Sequence, residues 1–164
     1  MKSTCVVAAA AILALSMTSC APKVDTDAEK AAVRDVIDKM KQAMMSEDFE
    51  SFAALVAHDS DMVNFGTDAT ERWVGWEALK SSLEQQFASF DDMQMAVRDQ
   101  VINVGPGGNV AWFSQLVDWD FKAGGEPVSL QGLRVTGVLE RRAGKWLFVQ
   151  MHFSVGVAGQ AAEY

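Results

Sequence analysis

Cysteine is scarce in this chain of 164 residues, which has only Cys5 and Cys20. Both lie in or beside an apolar stretch over 5–18, so a cut before Cys20 leaves one thiol and excludes a disulfide framework. Basic residues are few as well: 14 Lys and Arg stand against 22 Asp and Glu, a net charge of −8. That balance argues against generic nucleic-acid binding, which needs basic patches to displace counterions. Two histidines, His58 and His152, with no spare cysteine cannot build a closed zinc site. Tyrosine occurs once, at Tyr164. No apolar run approaches the roughly 20 residues that a membrane-spanning helix needs. What is present is globular in character, with 49% hydrophobic and 22% charged residues, and this excludes wholesale disorder. Residues 20–164 suffice for one domain with a real core and are too few for two.

The apolar run Val6 to Leu15, preceded by Lys2, has the length of a signal-peptide core. The following Met17-Thr18-Ser19-Cys20 resembles the lipobox of bacterial lipoproteins, with Met17 where leucine is usual. The resemblance implies lipidation at Cys20, which would hold the domain on a membrane. Ala21 after it favours the periplasmic face of the outer membrane in a Gram-negative host, the alternative being a secreted protein. The expected organisation is a signal peptide over 1–19, a lipidated tether over 20–25, a domain over 26–157 and a tail over 158–164.

Thr26-x-x-Glu29 has the form of a capping box, and Val33, Val36, Ile37, Met40 and Met44 follow at helical spacing. The pattern predicts a helix over about 26–45. Ser46 is placed to cap a second over 47–57, whose inner face is Phe49, Phe52, Ala53 and Val56. Asp61 to Gly66 suits a short strand. Gly75 opens a third helix, with Leu79, Leu83, Phe87 and Phe90 at intervals of three or four up to Asp91-Asp92. Turn signals at Gly105–Asn109, Gly124-Gly125 and Ala143-Gly144 then divide the rest into strands over 93–104, 109–122, 127–141 and 145–155. Short loops demand antiparallel neighbours, so this half is a meander. The expected fold is α+β: a curved antiparallel sheet with about three N-terminal helices on its concave face.

The stretch Phe65-Gly66-Thr67-Asp68-Ala69-Thr70-Glu71-Arg72-Trp73-Val74-Gly75 resembles the connection found in SnoaL-like domains. So does Gly144-Lys145-Trp146 with its continuation to Phe153-Ser154. The resemblance to this branch of the nuclear transport factor two-like superfamily covers about residues 26–155. It implies a cone-shaped fold, a pocket between helices and sheet, and a homodimer through the outer sheet face. It fixes no chemistry, because relatives include isomerases, cyclases, dehydratases and non-enzymes. The isomerase base has no carboxylate counterpart here: Asn64-Phe65 stands in that strand.

Strand parity decides which side chains meet the pocket. On 145–155 the odd residues, including Met151 and Phe153, are uniformly apolar and read as inward. The even set then faces out, and Trp146, Phe148 and His152 become a dimer face. A two-residue turn at Gly124-Gly125 pairs odd with even across the hairpin, placing Trp112, Ser114, Leu116 and Asp118 beside Leu133 and Val135. A bulge at the turn reverses this. Asp118 in that apolar setting would have a raised pKa and serve as a general base, with Ser114 or Arg134 assisting; on a solvated face it is inert.

His152 reads as an interface residue rather than a proton shuttle, and His58-Asp59-Ser60 as a helix exit, since adjacent residues cannot form a relay. Met93 and Met95 share a strand face but suit core filling better than copper. Gly105–Asn109 lacks the lysine and helix of a phosphate loop. Arg141, Arg142 and Lys145 read as solvated turn charge. Phe65, Trp73, Trp76, Phe87, Trp112, Leu116, Leu133, Met151 and Phe153 form the candidate pocket for an apolar or aromatic ligand. The reading is an anchored, dimeric binding domain for such a ligand or a protein partner, with no metal or cofactor. Acid–base catalysis through Asp118, or a pure assembly role, are the alternatives.

Overall fold

The computed structural model describes residues 24–159 and Ala162. The expected signal segment over 1–19 and Cys20 lie outside the described residues, as does Tyr164. Among the described residues no helix is long and apolar enough to cross a membrane. Helix α1 (Thr26–Met45) buries Val33, Ile37, Met40, Ala43 and Met44, the stripe expected from the sequence. Its N-cap is Asp25, whose side chain accepts from the Ala28 N–H at 3.1 Å, one residue before the expected cap. Glu29 is therefore released from the capping box. It instead accepts from Trp146 Nε1 at 3.0 Å and pairs with Arg141, tying the start of α1 to the end of the sheet.

Helix α2 (Phe49–Ala53) is shorter than the expected 47–57. Asp48 caps it, and Ser46 closes α1 by donating to the Gln42 carbonyl at 2.8 Å. The chain leaves helical geometry after Ala54 because its backbone finds a better partner. Phe148 N–H donates to the Leu55 carbonyl at 2.9 Å, and Ala57 N–H to the Phe148 carbonyl at 2.8 Å. Strands β1 (Val63–Phe65) and β2 (Arg72–Val74) form a small hairpin, the second of them too short to register in the sequence. Helix α3 (Trp76–Ser89) follows, burying Trp76, Leu79 and Leu83. The meander is β3 (Phe90–Val104), β4 (Val110–Ala123), β5 (Glu126–Arg142) and β6 (Lys145–Ser154).

The six strands form one open sheet in the order β2-β1-β6-β5-β4-β3. It is mixed rather than purely antiparallel, since β1 runs parallel to β6 with Phe65 opposite His152. Bulges bend it. On β3, two residues oppose one at Asp92-Met93 and again at Asp99-Gln100, with Asp92 and Asp99 at φ 55° and 53°. On β5, Gln131 and Gly132 together oppose Asp118. On β6, Val149 is the extra residue between the Val138–Gln150 and Leu139–Phe148 pairs. Each bulge adds twist and changes which residues face the helices on either side of it.

Two of these bulges correct the expected parity. The Gly124-Gly125 turn does place Ala123 opposite Glu126, but the β5 bulge restores odd-with-odd pairing beyond Val117. Along β4 the odd residues Ala111, Phe113, Val117, Trp119 and Phe121 are buried. Trp112, Ser114, Leu116 and Asp118 consequently lie on the outer face, with Arg134 opposite Leu116. Val149 splits β6 in the same way. Trp146 and Phe148, expected on a dimer face, are 5% and 1% exposed and belong to the core. Beyond the bulge Met151 and Phe153 face inward and His152 faces out, as the sequence suggested.

Candidate functional site

Between the helices and the inner sheet face lies a cavity of about 140 Å³. Its floor is apolar, formed by Met44 and Phe52 from α1 and α2, Leu79 and Leu83 from α3, and Met151 from β6. Phe90, Trp119 and Phe121 make one aromatic wall, with ring centroids 4.5–6.1 Å apart. The β1–β2 hairpin supplies Phe65, Gly66, Thr67, Glu71 and Trp73, several of them partly exposed, and so forms the mouth. Glu71 folds back across this hairpin and accepts from the Asp68 N–H at 2.9 Å. Gly66 makes room for it: a Cβ there would sit 2.7 Å from the Trp73 ring and collide with the Glu71 carboxylate.

Four of the nine expected pocket residues line this cavity: Phe65, Trp73, Met151 and Phe153. The other five pack elsewhere. Trp76 stacks on His58 at 4.0 Å, and Phe87 meets Phe49 and Phe52 edge-on. Leu133 is fully buried in the core, while Trp112 is 47% exposed and Leu116 shares its outer face.

Sequence reasoning missed the two polar members that matter most. Asn64 is 2% exposed, and its Oδ1 accepts from the Met151 N–H at 2.8 Å. A backbone N–H can only donate, so that contact fixes the amide orientation. Asn64 Nδ2 is left buried without a partner, and so is the indole Nε1 of Trp119, a residue 6% exposed. Both residues line the cavity. Asn64 is a polar residue inside an apolar strand, which was a usable signal. Trp119, flanked by Asp118 and Asp120, was hidden by the parity error.

The family sequence model for the SnoaL-like domain matches residues 33–158. The chain belongs to this family. Several solved structures share the fold of this SnoaL-like domain. A candidate dehydratase of the NTF2-like family from Streptomyces avermitilis is 19% identical, with a TM-score of 0.72, covering 80% of this chain and 99% of that one. A candidate scytalone dehydratase from Novosphingobium aromaticivorans is 16% identical with a TM-score of 0.70, covering 79% and 85%. A candidate calcium/calmodulin-dependent protein kinase II association domain from Xanthomonas campestris is 20% identical with a TM-score of 0.65, covering 77% and 87%. At these identities the likeness concerns fold alone. No curated protein matches the chain in sequence.

Two carboxylates of the SnoaL-like domain outside the cavity, Asp118 and Asp59, are held by hydrogen bonds and ion pairs. Asp118 accepts from the Gly132 N–H at 2.7 Å and from Arg98 at 3.4 Å. These bonds, the Gly132 one foremost, hold its carboxyl below the usual value instead of raising it. Asp59 is lowered by its hydrogen bond to Arg142, which also pairs with Glu140. Arg141 and Arg142 thus clamp the β5–β6 turn to α1 and to the segment before β1, rather than forming a free basic patch. Met93 is fully buried and Met95 packs against the core, so both serve packing. Among the described residues, no group of three or more His, Cys, Asp and Glu side chains is placed to hold a metal.

A pH dependence follows from Asp59 and Asp118. A carboxyl with a depressed native pKa contributes stability above its unfolded value, here 3.8, and loses it as pH falls through the native value. Thermal melts of Asp118→Asn should lie a few degrees below wild type at neutral pH. That gap should narrow as pH falls below the unfolded value of 3.8 and close once the native carboxyl, whose pKa lies lower, is itself protonated.

Proposed function

We propose that the protein is a lipid-anchored envelope lipoprotein whose SnoaL-like domain holds one small apolar or aromatic molecule without transforming it. The observation that carries this reading is the cavity itself. Its floor is apolar, its mouth is built by a separate hairpin, and its volume of about 140 Å³ is on the scale of cavities that hold a benzene ring, about 150 Å³. Anchoring rests on Met17-Thr18-Ser19-Cys20 after the apolar run. Self-association through the outer sheet face is part of the proposal. Trp112 and Val101 are exposed there, on adjoining strands, with Leu116 and Val138 beside them.

Native mass spectrometry of the gently purified protein tests the reading. The expected spectrum shows a dimer carrying added mass of one single-ring compound per chain, lost on denaturation. A protein that neither retains such a mass nor takes one up from added aromatics would overturn the binding reading.

One observation favours a second reading, acid–base catalysis. Glu71 is the one ionisable side chain among the residues lining the cavity. Catalysis on a bound molecule would therefore use Glu71 in the place considered for Asp118, with Asn64 and Trp119 as donors to a developing negative charge.

A further inference from the structure

We infer that the bound molecule is a single ring carrying a short unbranched alkyl chain, and that the chain passes Met44 and Met151 into a second chamber beneath α1. The inference rests on the cavity being a ligand site, and it names the class of ligand. The second chamber is about 30 Å³, with Ile37 and Met40 of α1 on one side and Val97, Val135 and Phe148 of the sheet on the other. Met44, Met151 and Phe153 line both spaces, so these three side chains form the partition between them.

Two members of the partition can yield. Methionine is unbranched and has three rotatable side-chain bonds, so it adapts its shape inside a packed interior. The backbone beneath each one is held. Asn64 Oδ1 accepts from the Met151 N–H at 2.8 Å, and the Met44 carbonyl, in the last turn of α1, accepts from the Glu47 N–H at 3.0 Å. Swinging the two side chains aside therefore joins the spaces without moving the walls.

Size and polarity name the chain. A ring fills the main cavity of about 140 Å³, and 30 Å³ beyond the partition has room for the end of an alkyl chain and not for a second ring. Two polar side chains reach the wall of the second chamber, and both are engaged. Gln115 Oε1 accepts from Gln100 Nε2 at 2.9 Å, and Lys41 pairs with Asp38 at 3.6 Å. The rest of the wall is aliphatic and aromatic. A branch next to the ring would have to force the partition apart, which a well-packed interior resists.

The test is titration of the protein with toluene, n-propylbenzene and isopropylbenzene, followed by NMR of the methionine and valine methyl resonances. The linear chain should bind about fifteenfold tighter than toluene, roughly fourfold for each added methylene that is buried. Isopropylbenzene has the same atoms with the branch at the ring, and should bind at least about fivefold more weakly than its linear isomer. The terminal methyl of n-propylbenzene should show nuclear Overhauser contacts to Val97 and Val135.

Val97→Leu extends a side chain into the second chamber without touching the main cavity. It should bring n-propylbenzene down towards the affinity of toluene and leave toluene unchanged. Val135→Ile fills the same space from β5 and keeps the test available if the first variant fails to fold. Equal binding of the two isomers, or a linear-chain affinity that neither filling variant lowers, would mean that the chain leaves through the mouth. Either result overturns the inference and leaves the ligand site standing. Binding of none of the three compounds would remove the ligand site and the inference with it.

Discussion

Replacing Phe148 with alanine is expected to destabilise the protein by about 3–5 kcal/mol, while His152→Ala, four residues on, should change stability by no more than about 0.5 kcal/mol. Simple alternation along β6 puts these two residues on the same face. The Val149 bulge separates them: Phe148 lies in the core, edge-on to Phe113 at 6.0 Å, and His152 is exposed beside Phe65. Truncating Phe148 removes a full aromatic ring from an interior that the backbone cannot easily collapse. Its N–H and carbonyl are held by Leu55 and Ala57, so the strand cannot slide inward to fill the space. Against a typical total stability of about 5–15 kcal/mol, that loss leaves little margin. Urea unfolding of both variants, read at unchanged slope, measures the two costs directly. A small cost for Phe148→Ala would place the ring on the surface and restore the unbroken alternation.

The elements legible in the sequence were those signalled by a repeated period or by turn residues. The apolar stripe from Val33 to Met44, the Leu79–Leu83 repeat and the three glycine turns each required nothing beyond the local chain, and each stands where expected to within a few residues. The site was less legible because it depends on parity carried across long strands. A bulge costs one residue and inverts every inference beyond it. The β5 bulge had a signal, since a glycine inside a strand marks such a site, and Gly132 lies mid-strand. The β6 bulge had none: Trp146-Leu147-Phe148-Val149 is apolar throughout, and only contact with Leu55 and Ala57 shows where the alternation breaks. Trp119 was lost to the first error, and Trp146 and Phe148 to the second. In the sequence Asn64 is marked only by standing where a carboxylate would be needed for isomerase chemistry. Its value as a buried amide becomes visible once Met151 is seen to take its oxygen.

Deleting Gly132 should abolish the native fold, and this is the larger of the two effects. Gln131 and Gly132 oppose Asp118, so removing one residue restores one-to-one pairing from the Gly124-Gly125 turn onward. With the β4 side fixed by its buried odd residues, Leu133, Val135 and Leu139 would turn outward. All three are buried, and exposing each costs about 1.5–3 kcal/mol, a combined loss comparable to the whole stability of a domain. The chain's other choice, to keep those residues inside and rotate β4, buries Asp118 without Arg98 and exposes Phe113 and Val117.

Substitution should be far milder than deletion. Gly132 sits at φ +67°, where an L-residue is strained, so Gly132→Ala should cost about 1–2 kcal/mol and Gly132→Asn less, because asparagine tolerates that conformation. Space is not the obstacle, since the nearest atom to an added Cβ is the flexible Arg98 guanidinium at 3.3 Å. Near-ultraviolet circular dichroism and NMR dispersion read the outcome. The deletion should lose its tertiary signature while both substitutions keep it. A deletion variant that folds with native dispersion would show that the register of β4 and β5 is set by the hydrophobic faces alone, with the Asp118–Gly132 contact as a consequence of pairing and not its cause.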